Sequence, residues 1–162
     1  GLSSGFLEPL ESTSISLIQT GISKMAAFLV NFVLDEKLVA EANRLNRLEY
    51  ERIRDFIILH YKLNGRTGAY WNHVRDMAIP ATLVDKIETF KASGSIQMLE
   101  QESFREDSWV SMYSGFGVDP QGLVASEHSD RAWLLMDKMK RAILKGCDVA
   151  GSHEEFLGTV IP

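Results

Sequence analysis

The sequence is poor in cysteine, and it has no apolar stretch long enough to cross a bilayer. Cys147 is the single cysteine in 162 residues, which excludes an internal disulfide framework and fits a reducing compartment. The longest apolar run, from Met25 to Leu34, is broken by Asn31, whereas a membrane-spanning helix needs about 20 apolar residues. No segment resembles a signal peptide. We therefore expect a cytoplasmic protein without membrane contact.

Basic clusters and metal-ligand spacings are also lacking. The 17 basic side chains are interspersed with 22 acidic ones, and the net charge is −5. A nucleic-acid surface would need clustered Lys and Arg, so we expect no nucleic-acid partner. The four histidines are scattered along the chain, without the close spacing that metal sites use. We therefore expect no metal site.

The composition predicts one globular domain or part of a larger one. Apolar residues make up 45% and charged residues 24% of the chain, which suffices for a buried core. Apolar side chains recur every three or four residues, and no segment has a strong strand pattern. The expected fold class is therefore mainly α.

Five helices are predicted from this spacing, over residues 15–33, 35–62, 69–77, 81–92 and 130–145. Asp35 is expected to cap the second helix, Gly94 to follow the fourth and Gly146 to close the last long one. Ser152 with Glu155 predicts a capping box for a short terminal helix. Residues 108–113 fit either a short helix or a strand.

The chemically informative segment is Gly5–Ser14, GFLEPLESTS. Pro9 stiffens the backbone between the carboxylates Glu8 and Glu11. Glu11 precedes a helix whose first N–H groups lack intrahelical partners, so the helix start can bind a small anion. Ser12, Thr13 and Ser14 can add donors or caps. The alternative is a well-capped helix start with no chemistry.

Residues 3–15, SSGFLEPLESTSI, closely resemble a signature of flavin-dependent tryptophan halogenases. Further similar segments follow in the family's order, nearly to the end of the chain. They are residues 50–61, 64–66, 70–71, 104–109, 115–120 and 152–156.

The resemblance implies the helical, substrate-covering region of a larger α/β FAD-dependent halogenase of the kind used in antibiotic biosynthesis. Residues 1–20 would end the flavin-binding module and carry the EPLEST motif, and residues 21–162 would form the helical C-terminal region. The implied reaction halogenates an electron-rich, indole-like arene. It uses reduced FAD from a separate flavin reductase, oxygen, and chloride or bromide, and it proceeds through hypohalous acid.

The resemblance also implies roles for individual residues. Glu11 corresponds to the catalytic glutamate, which holds the oxidant or stabilises the cationic arene and takes its proton. Thr13 and Ser14 correspond to the residues whose backbone amides bind the halide. Leu2 and Ile15 correspond to flavin-contacting positions.

Substrate recognition departs from the free-tryptophan members of the family. His60-Tyr61-Lys62 lacks their paired tyrosines and carboxylate, so we expect a less polar indole, a phenol, or a carrier- or peptide-linked arene. Four aromatic residues could sandwich such an arene, or each could belong to the core. They are Tyr70, Trp71, Phe104 and Trp109.

Three parts of the family pattern are missing from the sequence. There is no G-x-G-x-x-G after a strand, no Trp-x-Trp-x-Ile-Pro, and no lysine before the motif that could deliver the halogen, because Lys24 and Lys37 follow it. We therefore expect a chain that lacks an N-terminal FAD-binding portion and is inactive alone. Two alternatives stay open: a fragment of a flavin-dependent aromatic monooxygenase that hydroxylates, and a non-catalytic helical interaction module.

Overall fold

The computed structural model describes residue 3 and residues 5–29, 35–122 and 129–160. In this part of the chain there are seven α-helices and no strand, which confirms the mainly α fold class. They are α1 (Ser14–Phe28), α2 (Glu36–Lys62), α3 (Ala69–Asp76), α4 (Ala81–Ser93), α5 (Glu106–Gly115), α6 (Ser129–Val149) and α7 (His153–Val160). Of the helices described, none has the length and apolarity needed to cross a membrane.

The chain forms two compact units, Gly1–Leu123 with α1 to α5 and Val124–Pro162 with α6 and α7. The expected division between residues 1–20 and 21–162 falls within α1, and it stays a prediction about how the chain joins a flavin-binding module.

Three of the helix signals are confirmed. Asp35 caps α2, since its Oδ1 accepts the N–H groups of Lys37 at 2.7 Å and Leu38 at 3.3 Å. Gly94 ends α4 in the left-handed conformation, with φ 74°. The capping box before α7 forms in both directions. The N–H of Ser152 donates to Glu155 Oε2 at 2.7 Å, and the N–H of Glu155 donates to Ser152 Oγ at 3.2 Å.

Other helix bounds were predicted wrongly. Helix α1 ends at Phe28 rather than at residue 33, because Leu29 leaves the helical conformation (φ −91°, ψ 44°). Gly146 does not close α6. It lies inside the helix, where its carbonyl accepts the N–H of Ala150 at 3.0 Å, since a glycine ends a helix only where the backbone turns left-handed. Cys147 is consequently an exposed residue within α6.

Helix α2 supplies the core of the first unit. Its buried face includes Ile53, Phe56, Ile57 and Leu59. Phe56 and Leu59 pack with apolar residues of α4 and α5, whereas Ile53 and Ile57 pack with Leu17 of α1. Every element of the first unit that bears on the site is therefore positioned against one long helix.

A buried ion pair lies within the larger cluster. Lys86 of α4 contacts the carboxylate of Glu102, with both side chains almost fully buried. Lys86 Nζ also lies 4.1 Å from the ring centroid of Trp109 and donates to the carbonyl of Gln97 at 2.9 Å. Burial, with the nearby charge of Glu102, raises the pKa of Tyr113. The buried charges of Lys86 and Glu102 have lost their hydration, and each is stabilised by the other instead.

We expect Lys86→Met to lower the free energy of unfolding by about 3–5 kcal/mol, because it leaves the Glu102 carboxylate buried without a counter-charge. Urea unfolding followed by tryptophan fluorescence measures this change, since Trp109 lies against the pair. The matched control is Lys91→Met at an exposed position of the same helix, with an expected effect within about 0.5 kcal/mol. Equal effects of the two substitutions would contradict the pairing.

Candidate functional site: the turn before α1 and the cleft beside it

The turn before α1 has an unusual backbone. Leu10–Ser12 forms a single 3-10 turn, closed by the N–H of Ser12 donating to the carbonyl of Pro9 at 3.0 Å. Glu11 (φ 67°) and Ser12 (φ 51°) both adopt left-handed dihedrals, which costs a non-glycine residue about 1–3 kcal/mol. Such strain persists only where surrounding contacts hold it, and it concentrates at functional sites.

Helix α2 holds both carboxylates of the turn with two consecutive residues. Tyr61 Oη donates to Glu8 Oε2 at 2.9 Å and to Oε1 at 3.1 Å. His60 Nε2 lies 2.8 Å from Glu11 Oε1. The side chain of Glu11 remains 34% exposed, so it is anchored on one side and open on the other.

The contact with Glu8 also fixes the state of Tyr61. The hydrogen bond to the Glu8 carboxylate, and then burial, raise the pKa of Tyr61, because an anionic acceptor stabilises the protonated phenol. Tyr61 therefore keeps its proton and stays a donor to the turn.

Gly5 allows the turn to lie against α2. A Cβ at this position would lie 2.5 Å from Tyr50 Oη, and φ is 154°, a value that L side chains rarely adopt. The glycine of the motif is therefore required by a close approach to an α2 side chain.

The start of α1 presents the groups expected to bind an anion. Thr13 is the buried N-cap residue, but its side chain makes no capping hydrogen bond, so the expected role of these hydroxyls as caps is wrong for Thr13. The N–H groups of the first turn have no intrahelical acceptor and favour an anion. Ser14 begins the helix and Ile15 follows, 70% exposed. Leu2 lies outside the described residues.

A cleft of about 570 Å³ adjoins the turn. Leu10 of the turn, His60 of α2, Arg66 of the loop, Trp71 of α3 and Phe116 after α5 contribute to its walls. The guanidinium carbon of Arg66 lies 4.9 Å from the centroid of the Trp71 ring. His60 thus borders this cleft and contacts Glu11 as well.

The four aromatic residues considered for stacking fall into two groups. Trp71 lines the cleft. Tyr70 is 60% exposed, and its ring meets the Trp71 ring edge-on, with centroids 5.1 Å apart. Phe104 stacks on Phe56 with centroids 3.8 Å apart, and Trp109 is completely buried. The structure thus brings Trp71 to the cleft that Leu10 and His60 also line, and it places Phe104 and Trp109 in or against the core.

Two residues of the site escaped the sequence reasoning. The sequence does not predict a role for His60 and Tyr61 at the turn, yet they bind Glu11 and Glu8 across 49 and 53 positions. No local spacing signals such a contact. The available signal was that Tyr61 belongs to the apolar stripe of α2, which places its neighbour His60 at the edge of the buried face.

Helix α1 leaves an apolar face uncovered within the described structure. Leu17 is its single buried residue, whereas Ile15, Ile22 and Met25 are more than half exposed. A groove of about 470 Å³ runs between α1 and α2 next to this face. Lys24 of the same helix is paired with Glu49 at 2.7 Å.

Comparison with known proteins gives the site its context. The family described as tryptophan halogenase matches residues 1–129. The chain belongs to this family. Among curated relatives, the tryptophan 6-halogenase of Streptomyces albogriseolus is 26% identical over 75% of the chain. That of Streptomyces toxytricini is 35% identical over 56% of the chain.

Solved halogenase structures match the whole chain. BrvH, a flavin-dependent halogenase from Brevundimonas sp. BAL3, is 41% identical, with a TM-score of 0.86 over 100% of the chain. Xcc4156, a flavin-dependent halogenase from Xanthomonas campestris, is 34% identical, with a TM-score of 0.82. The chain spans about a third of each of these structures, 34%. It spans 26% and 18% of the two curated relatives.

We expect Gly5→Ala to lower the free energy of unfolding by about 1–3 kcal/mol, because the added Cβ must displace the ring of Tyr50 or the turn itself. Chemical denaturation measures the change. Gly115→Ala is the matched control, since nothing lies within 4 Å of a Cβ at that position and its expected effect is within about 0.5 kcal/mol. A Gly5→Ala variant as stable as this control would show that the close approach is not a constraint.

Proposed function

We propose that this chain is the part of a flavin-dependent halogenase that supplies the catalytic carboxylate, the halide-binding amides and one wall of the arene cleft. The observation that carries the proposal is the position of Glu11. It is held by His60 in a strained turn, at the start of α1 and beside a cleft of about 570 Å³. The proposed reaction is the chlorination or bromination of an electron-rich arene by hypohalous acid in the cytoplasm.

Glu11 is suited to the proton-transfer part of this reaction. Attack of the arene on the halogen of hypohalous acid forms the carbon–halogen bond and breaks the oxygen–halogen bond, so that hydroxide departs and takes up a proton to leave as water. The ring is left with a positive charge, and loss of a ring proton restores aromaticity. A carboxylate next to the cleft stabilises that charge and accepts the proton. The contact with His60 occupies Oε1 of Glu11, which leaves its second oxygen for substrate or oxidant.

The backbone N–H groups of Thr13 and Ser14 are proposed to bind the halide. They belong to the N-cap and the first residue of α1, where donors lack intrahelical acceptors and the helix dipole favours negative charge. The side chain of Thr13 does not cap this turn, so it leaves the amides available. Glu11 and the halide would then be two residues apart on one rigid turn.

The residues present fit the edge of a flavin site. The described residues contain no strand and hence no strand–turn–helix unit for a dinucleotide, but Ile15 is exposed at the first turn of α1. When bound, reduced FAD would supply the electrons with which oxygen is activated for halide oxidation. We propose that Ile15 and Leu2 contact the flavin, and that a separate reductase reduces it.

A flavin-binding portion is proposed to cover the apolar face of α1. Ile15, Ile22 and Met25 are exposed on this helix, next to the groove that adjoins α2. The same portion would carry the lysine that delivers the halogen. Lys24 is unsuited to that role because its ammonium is already paired with Glu49.

The substrate is proposed to be an indole-like arene lying against Trp71. The ring of Trp71 lines the cleft and can stack on an arene. Tyr70 is exposed next to Trp71 and could extend that surface. Phe104 and Trp109 belong to the packing beneath the site rather than to the cleft.

The decisive test is bromination of indole by this chain together with its flavin-binding portion, a flavin reductase and bromide. We expect Glu11→Gln to lower kcat by about 10²–10⁴-fold, because the amide can neither accept the ring proton nor offset the positive charge. Product is measured by mass spectrometry, which also distinguishes bromination from hydroxylation.

The control is Glu88→Gln, which removes an exposed carboxylate of α4 and should leave kcat unchanged. Undiminished bromination by the Glu11→Gln variant would refute the catalytic assignment. Hydroxylated product without brominated product would favour the monooxygenase alternative.

A further inference from the structure

We propose that His60 is the positioning residue of the site: it donates from both ring nitrogens, to the core on one side and to Glu11 on the other. This inference rests on the proposed catalytic role of Glu11. His60 would orient the Glu11 carboxylate without itself touching the substrate.

A hydrogen bond at Nδ1 fixes the orientation of the His60 ring. His60 Nδ1 lies 2.9 Å from the carbonyl oxygen of Phe56, one helical turn earlier. A carbonyl oxygen has no proton to give, so Nδ1 must carry the proton and donate. The ring of His60 also meets the ring of Phe56 edge-on, with centroids 5.2 Å apart. The orientation of the imidazole is thereby set by the backbone and side chain of one core residue.

The other ring nitrogen of His60, Nε2, faces Glu11. Nε2 lies 2.8 Å from Glu11 Oε1, and an ionised carboxylate can accept but not donate. A neutral imidazole has a single N–H, and Nδ1 already uses it. His60 can therefore hold an ionised Glu11 only as the doubly protonated imidazolium, and the contact is then a charge-assisted hydrogen bond.

The Glu11 carboxylate needs a contact outside its own turn to fix its direction. Its backbone is left-handed and its side chain is 34% exposed, so the local chain does not restrict the carboxylate to one direction. His60 is the less exposed partner, at 17%. Catalysis by proton transfer depends on placement within hydrogen-bond reach of the reacting atom.

The packing beneath the pair gives the aromatic core a role in the site. Phe56 stacks on Phe104 and meets Trp109 edge-on at 4.9 Å. Phe56 in turn contacts His60, and His60 contacts Glu11. A continuous set of contacts therefore runs from the fully buried Trp109 through Phe56 and His60 to the Glu11 carboxylate.

The test uses the complete halogenase with its reductase, bromide and indole. We expect His60→Phe, which keeps a ring against Phe56 and removes both donors, to lower kcat by about 10–100-fold through misplacement of Glu11. The KM for indole should stay within about twofold, because the substitution changes the direction of the Glu11 carboxylate and keeps an aromatic ring in the wall of the cleft. His73→Phe is the matched control at an exposed histidine outside the cleft, and it should leave kcat unchanged.

Conservative variants separate positioning from folding. We expect His60→Gln to recover part of kcat, because the Gln amide nitrogen reaches roughly the position of Nε2 and can donate to Glu11. His60→Asn reaches only the Nδ1 position and should stay as slow as His60→Phe. Equal rates for Gln and Asn would overturn the proposal, and this comparison holds even where the Phe variant fails to fold.

A double-mutant cycle decides whether His60 acts through Glu11. In the Glu11→Gln background we expect His60→Phe to change kcat by less than about twofold, because residues that act as a unit are not additive. Full additivity would overturn the inference. Unchanged activity of His60→Phe beside an inactive Glu11→Gln would also overturn it while leaving the proposed function intact. An active Glu11→Gln variant would refute the proposed function itself.

Discussion

The structure of the site depends on the hydrogen bonds of two neighbouring residues of α2. His60 and Tyr61, the third-last and second-last residues of α2, contact Glu11 and Glu8 on either side of Pro9. The strained dihedrals of Glu11 can persist because contacts on either side of Pro9 tie the turn to the C-terminal end of α2, and one face of that part of α2 is buried. The pKa of Tyr61 is raised by the Glu8 carboxylate, so this donor keeps its proton over a wider pH range. The geometry of the turn before α1 is thus a consequence of where α2 ends.

Surface and interior contribute different parts of the site. The turn and the first residues of α1 provide the carboxylates and the amides, and α2 binds the two carboxylates. In the interior, Phe56 packs against Phe104 and Trp109 on one side and against His60 on the other. Helix α1 leaves Ile22 and Met25 exposed. We propose that the flavin-binding portion completes the site there.

The fold class and the motif were predictable from the sequence because both depend on local patterns. Three- and four-residue spacing defines α2, and Asp35 caps it as predicted. The end of α1 was not predictable, because the apolar spacing continues past Phe28 while Leu29 leaves the helical conformation. The passage of α6 through Gly146 was not predictable either, because glycine ends a helix only where its own backbone turns left-handed. The pairing of His60 with Glu11 spans 49 residues and depends on how α2 packs against the turn. Whether Phe104 or Trp109 would be buried was equally a matter of tertiary packing.

The central claim is that one turn presents a carboxylate and a halide site together, two residues apart. A crystal structure of this chain together with the proposed flavin-binding portion, soaked in bromide, tests it most directly, because bromide is located by its anomalous scattering. The account predicts a bromide peak at the backbone nitrogens of Thr13 and Ser14, at about 3.2–3.6 Å for N–H donors to so large an anion, slightly beyond the usual range. Glu11 should still contact His60 in that structure. A bromide bound elsewhere, with the amides of Thr13 and Ser14 occupied by protein acceptors, would contradict the account.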